Sequence, residues 1–337
     1  MNAPLDTLSR RRFLAASVLA GSGPVFGELA AVENKALIAI TLDLEMARNF
    51  PRWEDTRWDY EKGNLNEETK RYAVEAARRV KAAGGVIHFF LVGRVLEQES
   101  VAWLEEIIRT GHSIGNHTYD HVNVLANAPE EIQFRFRRAP WLIAGKTPAE
   151  VIRENIRLTS TALKERIGVS AAGFRTPGGF AEGLGGRADV QQMLLDLGFT
   201  WVSSKYPIHP NSEPGTEPAE AVFEGIVRAQ QAAQPFVYPS GLIEIPMSPI
   251  SDVGAFRNGR WKLEHFLKAI RLSVERVIKQ RTVFDFLAHP AVLYPVDPEF
   301  KSLDLICDLV KKAGDRAAMV NLETIARRTK LRTTPGK

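Results

Sequence analysis

From residue 36 onward the chain alternates short apolar runs with amphipathic stretches, and the two carry different periods. The runs "ALIAITL", "VIHFFLV", "HSIGN", "AGFRT", "WVSS", "LIEIP", "VFDFLAH" and "AMVNL" read as strands. Between them "NEETKRYAVEAARRVKAAGG", "SVAWLEEIIRTG", "TPAEVIRENIRLTSTALKERIG", "VQQMLLDLG", "LEHFLKAIRLSVERVIKQ" and "SLDLICDLVKKAG" place apolar residues at helical spacing, and most end in glycine. Seven or eight strand-helix units in this order predict an α/β fold with a parallel sheet, most simply closed into a (β/α) barrel. No repeat, low-complexity tract or linker divides residues 36–330, so a single domain is expected.

Two segments break the rhythm. Residues 122–147 are long for a connection, and residues 205–240 carry six prolines around a short helical pattern at "AEAVFEGIVRAQQ". Long loops of a barrel line the rim at the C-terminal ends of its strands, so residues that end a strand are the ones to inspect.

Composition narrows the chemistry. In 337 residues 45% are hydrophobic, ample for a large core, and a net charge of +4 without a basic cluster in the body of the chain gives no case for nucleic acid. One cysteine, Cys307, excludes an internal disulfide and a cysteine-rich zinc site; it sits at helical spacing with Leu303, Ile306 and Val310 and reads as a buried thiol. Histidines and carboxylates remain as metal ligands.

Residues 1–31 read as a leader. "SRRRFLAASVLAGSGPVFGELAA" has a basic cluster followed by a mildly apolar run, with Arg10, Arg11, Phe13 and Leu14 placed as in a twin-arginine export signal. The run from Phe13 to Val25 is too short and glycine-rich for a stable membrane span. A periplasmic or extracellular location, reached through the twin-arginine export machinery, is the expectation.

Four strand ends carry candidate chemistry. In "ITLDLEMA", Thr41, Asp43 and Glu45 share one face of a strand, so two carboxylates emerge together at its end, an arrangement that is costly without a cation. In "GHSIGNHTYDH", one helical turn after the strand would bring His117 and His121 to one side; two histidines and a carboxylate are a known zinc-site composition that leaves a position for water. In "GFRTPGG", Thr176 precedes a proline and is held extended, which places Arg175 at a strand end where it can pair with a carboxylate. In "FDFLAHP", His289 ends a late strand; Asp285 faces the same side, but four residues span about 13 Å, so it cannot be the partner of that imidazole. His88, His112, His209 and His265 lack such companions and read as structural. "AGKT" at 144–147 lacks the first glycine and the strand of a phosphate loop, and no Gly-x-Ser-x-Gly elbow occurs.

In order, "TLDLE", "HSIGNHTYDH", "RTPGG" and "FLAHP" resemble the successive motifs of the polysaccharide deacetylase superfamily, over roughly residues 36–330. The resemblance implies a distorted barrel of about seven units, with Asp43 as general base, Glu45, His117 and His121 as ligands of a divalent metal, zinc being the expected ion, Arg175 orienting Asp43, and His289 as general acid. It also implies an N-acetylated glycan as substrate. Gly178, through its backbone N–H, and Trp201 are the candidate substrate contacts, and Trp53, Trp58, Tyr60 and Trp141 could stack on sugar rings or pack the loops. The chain departs from the common pattern in two places. Asp43 and Glu45 are separated by Leu44 where many members have adjacent aspartates, which resembles a branch with some peptidoglycan deacetylases and allantoinase-like amidases. No carboxylate stands near "LGFTWVSSKYP" to pair with the catalytic histidine, and Glu244 in "LIEIP" is the candidate substitute. Hydrolysis of a cyclic amide or an O-acetyl ester, and sugar binding by an inactive barrel, are the alternatives.

Overall fold

The first strand shows how the fold is built: all nine of its residues are buried, on two different faces. Even-numbered Ala36, Ile38, Ile40, Leu42 and Leu44 pack outward under the helices, whereas Leu37 and Ala39 point into the sheet's concave interior. The computed structural model describes residues 32–45 and 62–333. The expected leader and the aromatics Trp53, Trp58 and Tyr60 lie outside the described residues.

Among the described residues nine strands make one sheet: β1 (Ala36–Leu44), β2 (Ile87–Leu91), β3 (Ser113–Asn116), β4 (Gly173–Phe180), β5 (Trp201–Lys205), β6 (Phe236–Val237), β7 (Ile243–Glu244), β8 (Val283–Ala288) and β9 (Ala317–Met319). Their spatial order is β6-β7-β5-β4-β3-β2-β1-β8, with β9 added to the lower end of β1. Every pairing is parallel except the short hairpin of β6 with β7. Beyond β7 the chain stays extended, Ile245 N bonding to Val202 O and Met247 N to Lys205 O, until Ser248 N donates to Asp285 O of β8 at 2.8 Å. That contact, with Ser248 Oγ accepting from Leu287 N, draws the outer edges together into a distorted barrel whose wall is β1–β5, β7 and β8.

Pleat parity sorts the interior into layers. Its lower part is apolar, with Leu37, Ala39, Phe90, Trp201, Ile243, Ile245 and Val283 in one cluster. The helix Leu322–Thr333, which the sequence pattern did not announce, closes this end with Leu322, Ile325 and Ala326. Its apolar stripe is narrow because Arg328 sits on the buried side and bonds to the Lys35 carbonyl at 2.7 Å. Above the apolar layers come Thr41, Arg175, Ser203 and Asp285, and the polar face opens at the strand ends.

The long connections are partly ordered. Residues 122–147 contain short helices at Pro129–Ile132 and Phe134–Arg138 and a 3₁₀ turn at Pro140–Ile143. Thr147 of "AGKT" caps the helix Pro148–Ile167, accepting from Glu150 N while Glu150 reaches back to Thr147 N. Cys307 is buried in the helix Lys301–Ala313, where burial raises its thiol to about 12. Among the described residues no helix is long and apolar enough to cross a membrane.

Candidate functional site

β1 carries its polar face upward as the pattern required: Thr41, Asp43 and Glu45 leave the barrel on one side, all buried. Glu45 becomes the centre of a cluster. Its Oε2 lies 2.9 Å from His117 Nε2 and in close contact with His121 Nε2, and its Oε1 lies 2.7 Å from Lys62 Nζ and 3.2 Å from His289 Nε2. One ligand atom from each of Glu45, His117 and His121 falls within 4.8 Å of the others.

The two imidazoles do not meet by way of a helical turn. After β3 the chain bends through Thr118 and His121, both in the left-handed region at φ 59°, an uncommon conformation for side chains of this kind. The bend is held from all sides: Asn116 Oδ1 accepts from Thr118 N, Thr118 Oγ1 from Val122 N, Asn155 Oδ1 from Asp120 N, and the Thr118 carbonyl from Gly93 N. The bend, in place of a helical turn, presents both rings to Glu45.

Charge in the cluster follows from burial and neighbours. Burial opposes ionisation of Glu45, but His121, Lys62 and the close contacts with both imidazoles outweigh it and hold the carboxyl well below its ordinary value. Burial drives His121 down to about 3, helped by Lys62 and His117, against the pull of Glu45. A neutral imidazole results, the form that binds metals. His117 Nδ1 faces the Arg175 carbonyl at 2.9 Å and must donate to it, because a carbonyl only accepts. The ring is thereby oriented with Nε2 toward Glu45, the outer-shell support that metal-ligating histidines use. Three oriented lone-pair donors converging on one point fit a divalent cation.

Arg175 is fully buried and tied to four groups: Thr41 Oγ1 at 2.7 Å, Asp43 Oδ1 at 3.0 Å, Ser203 Oγ at 3.1 Å and Asp285 Oδ2 at 2.5 Å. Its guanidinium lies 4.3 Å above the Phe90 ring. Asp285, unable to reach His289, thus anchors the arginine instead. Burial pushes its carboxyl up to about 6 despite the guanidinium and Thr41. Asp43 keeps Oδ2 toward the cluster, 3.9 Å from His117 Nε2.

His289 does have a carboxylate partner, and it is neither Glu244 nor any residue near "LGFTWVSSKYP". Asp252, fully buried, accepts from His289 N at 2.6 Å and pairs with His289 Nδ1 at 2.9 Å. Burial disfavours the charged ring, but Asp252 and then Glu45 overcome it and lift His289 to about 10. Glu244 is buried elsewhere, accepting from Ser204 N, Lys205 N and the hydroxyls of Ser204 and Tyr238.

Asp43, Glu45, His117, His121 and His289 line the floor of a cavity of about 720 Å³. Its walls come from the two irregular segments after β5 and β7, where Tyr206, Ile208, Met247 and Trp261 supply apolar surface, and from Leu287 of β8. Gly178 belongs to the lining, in a bulge of β4 where it takes φ +79°. His209 lines the cavity as well, buried and with Nδ1 2.7 Å from the Pro210 carbonyl. Trp201 is elsewhere: it is buried low in the barrel, edge-on to His88 at 5.4 Å, where Gly173 leaves it room, and it does not reach the cavity. Trp141 stands 71% exposed on its loop and does not line the cavity either. Lys62, Asp252, Tyr206 and Trp261 are among the residues of the site that sequence reading missed. Asp252 alone left a trace, as the acid nearest to "LIEIPMSPIS" after Glu244.

Residues 66–202 match the family model of polysaccharide deacetylase. That span includes His117, His121 and Arg175; Asp43, Glu45 and His289 lie outside it. No curated protein matches the sequence. Among solved structures, a Mycobacterium smegmatis protein assigned as a polysaccharide deacetylase is 15% identical, with 90% of this chain and 94% of that one covered at a TM-score of 0.59. A Pseudomonas aeruginosa PAO1 protein of the same assignment is 12% identical over 90% and 94% of the two chains, at 0.61. An allantoinase is 13% identical over 90% and 93%, at 0.59. At these identities the likeness is one of fold, and it bears out the distorted (β/α) barrel.

Proposed function

We propose that the chain, as a member of the polysaccharide deacetylase superfamily, is a metal-dependent hydrolase that removes N-acetyl groups from an envelope glycan. The observation that carries this reading is the convergence of Glu45, His117 and His121 with Asp43 and His289 on the floor of one cavity, with Asp252 buried behind His289. Sugar binding alone would need neither a buried base nor a histidine held by a buried carboxylate.

Glu45, His117 and His121 would hold the metal, with zinc the ion that suits two imidazoles and a carboxylate. A divalent ion there supplies Lewis acidity, making water a nucleophile near neutral pH and withdrawing charge from the amide carbonyl. Asp43 takes the proton of the attacking water. Its Oδ1 is fixed by Arg175 at 3.0 Å, so the free Oδ2 is aimed at the cluster without loss of its basic lone pair. Arg175 positions this base and is itself immobilised by Asp285 and Ser203. The backbone N–H of Gly178, on the cavity rim, is a donor for the developing oxyanion. His289 delivers a proton to the departing amine from Nε2, while Asp252 holds Nδ1 and so fixes which nitrogen faces the cavity.

The walls suit a sugar. Tyr206 and Trp261 offer flat apolar faces, and the cavity volume of about 720 Å³ exceeds what one small cyclic amide needs. The same base, ligands and acid would also hydrolyse a ureide, and the fold of an allantoinase supports that second reading. The leader adds weight to the glycan, because an exported enzyme meets envelope polymer first. Acetate release from N-acetylglucosamine oligomers of increasing length, set against turnover of allantoin, separates the two. Rates that rise with oligomer length support the glycan; efficient allantoin turnover with no acetate release overturns it.

A further inference from the structure

Lys62 belongs to none of the four motifs, yet its ammonium lies 2.7 Å from Glu45 Oε1 and 3.5 Å from His121 Nε2, two of the three proposed ligands. The lysine side chain is 0% exposed and that of Glu45 4%. Its position is fixed by backbone. Gly63 N donates to the Glu45 carbonyl at 3.0 Å, which carries residue 62 over the end of β1. Gly63 takes φ +84°, and a Cβ there would stand 2.7 Å from Arg94 Cβ, so only glycine makes this turn without strain.

A buried ammonium is costly unless paired, and this one is paired with the carboxylate that a metal would use. Two cations on the same carboxylate repel, and in a water-poor interior the repulsion is weakly screened. We propose that Lys62 is an internal competitor for the metal position: it neutralises Glu45 in the metal-free chain, and metal loading exchanges one buried cation for another. The inference rests on the reading of Glu45, His117 and His121 as the metal site. It has two consequences. The metal-free site stays electrically compensated and the fold survives without the ion. Metal affinity is lower than the three ligands alone would give, because the ion, bound through Oε2, must share the Glu45 carboxylate with the ammonium on Oε1 or displace it.

The test is zinc affinity of the full chain, measured by competition with a chromogenic chelator, for the unmodified protein, Lys62→Met and Lys62→Gln. Thermal midpoints with and without zinc accompany it. Both variants are expected to bind one zinc at least tenfold more tightly, to melt at a lower temperature when metal-free, and to gain more from zinc. Lys62→Gln keeps a hydrogen-bond donor beside Glu45, so the comparison survives if Lys62→Met fails to fold. Equal or weaker zinc binding in the folded variants, at unchanged stoichiometry, overturns the competitor role and leaves the metal site standing. No zinc in any of the three proteins overturns both.

Discussion

The two ends of the barrel use the same residue types to different effect. At the upper end Glu45, His117 and His121 converge to within 4.8 Å, and Asp252 binds His289 through both its ring and its backbone. At the lower end His88, His112 and Glu323 line a small cavity of about 170 Å³ without forming such a group. His88 is stacked 4.7 Å from Phe90, and neither of its ring nitrogens has a hydrogen-bond partner among the described residues. Burial drives His88 to about 3, with Arg175 adding to the effect, and drives His112 to about 4. His289, as deeply buried, is lifted to about 10 instead. Burial is common to both ends, and at the upper end it also drives His121 to about 3 although Glu45 lies beside it. What sets His289 apart is the buried Asp252, bonded to both its ring and its backbone.

The most damaging way to break the upper arrangement is to remove the carboxylate proposed as its base. Asp43→Asn keeps a hydrogen-bond acceptor for Arg175 but cannot take a proton, so kcat should fall by roughly 10²- to 10⁴-fold with metal content unchanged. Turnover within a few-fold of the unmodified protein would remove Asp43 from that role.

Making His289 resemble the lower histidines is the next step. Asp252→Asn deprives the ring of its anionic partner, and kcat on an amide should drop by about 10²-fold, with a smaller loss on an activated ester whose leaving group needs no proton. Equal losses on the two substrates would assign Asp252 to folding alone.

The smallest effect is expected at the lower end. His112 Nδ1 accepts from Ile87 N at 2.9 Å, and an asparagine oxygen can replace it. His112→Asn should leave kcat and metal content unchanged and cost about 1 kcal/mol of stability, read from chemical denaturation. A change in metal content would mean that the two ends are coupled.

Much of the upper end was legible in sequence because each motif is local and ends a strand. Period-two alternation put Thr41, Asp43 and Glu45 on one face, and proline after Thr176 kept Arg175 extended, as observed. What could not be read depended on bonds that cross the barrel. Asp252 stands 37 residues from His289 and is brought to it by the edge contact between Ser248 and Asp285. Lys62 is placed by a turn whose only local sign is one glycine. Trp201 was misjudged for a different reason: it opens β5, so it faces the apolar bottom layer, and strand-end residues are those at the other end. The left-handed bend at Thr118 and His121 is likewise set by Asn155 and Gly93, on segments far from it in sequence.

The central claim, a divalent ion held by Glu45, His117 and His121, is tested most directly by elemental analysis of the purified chain after exposure to zinc and removal of excess metal. One zinc per chain is expected in the unmodified protein, and much less than one in each of Glu45→Ala, His117→Ala and His121→Ala, with His112→Asn retaining the full amount. Full occupancy in all three ligand variants, or none in the unmodified chain, would contradict the account.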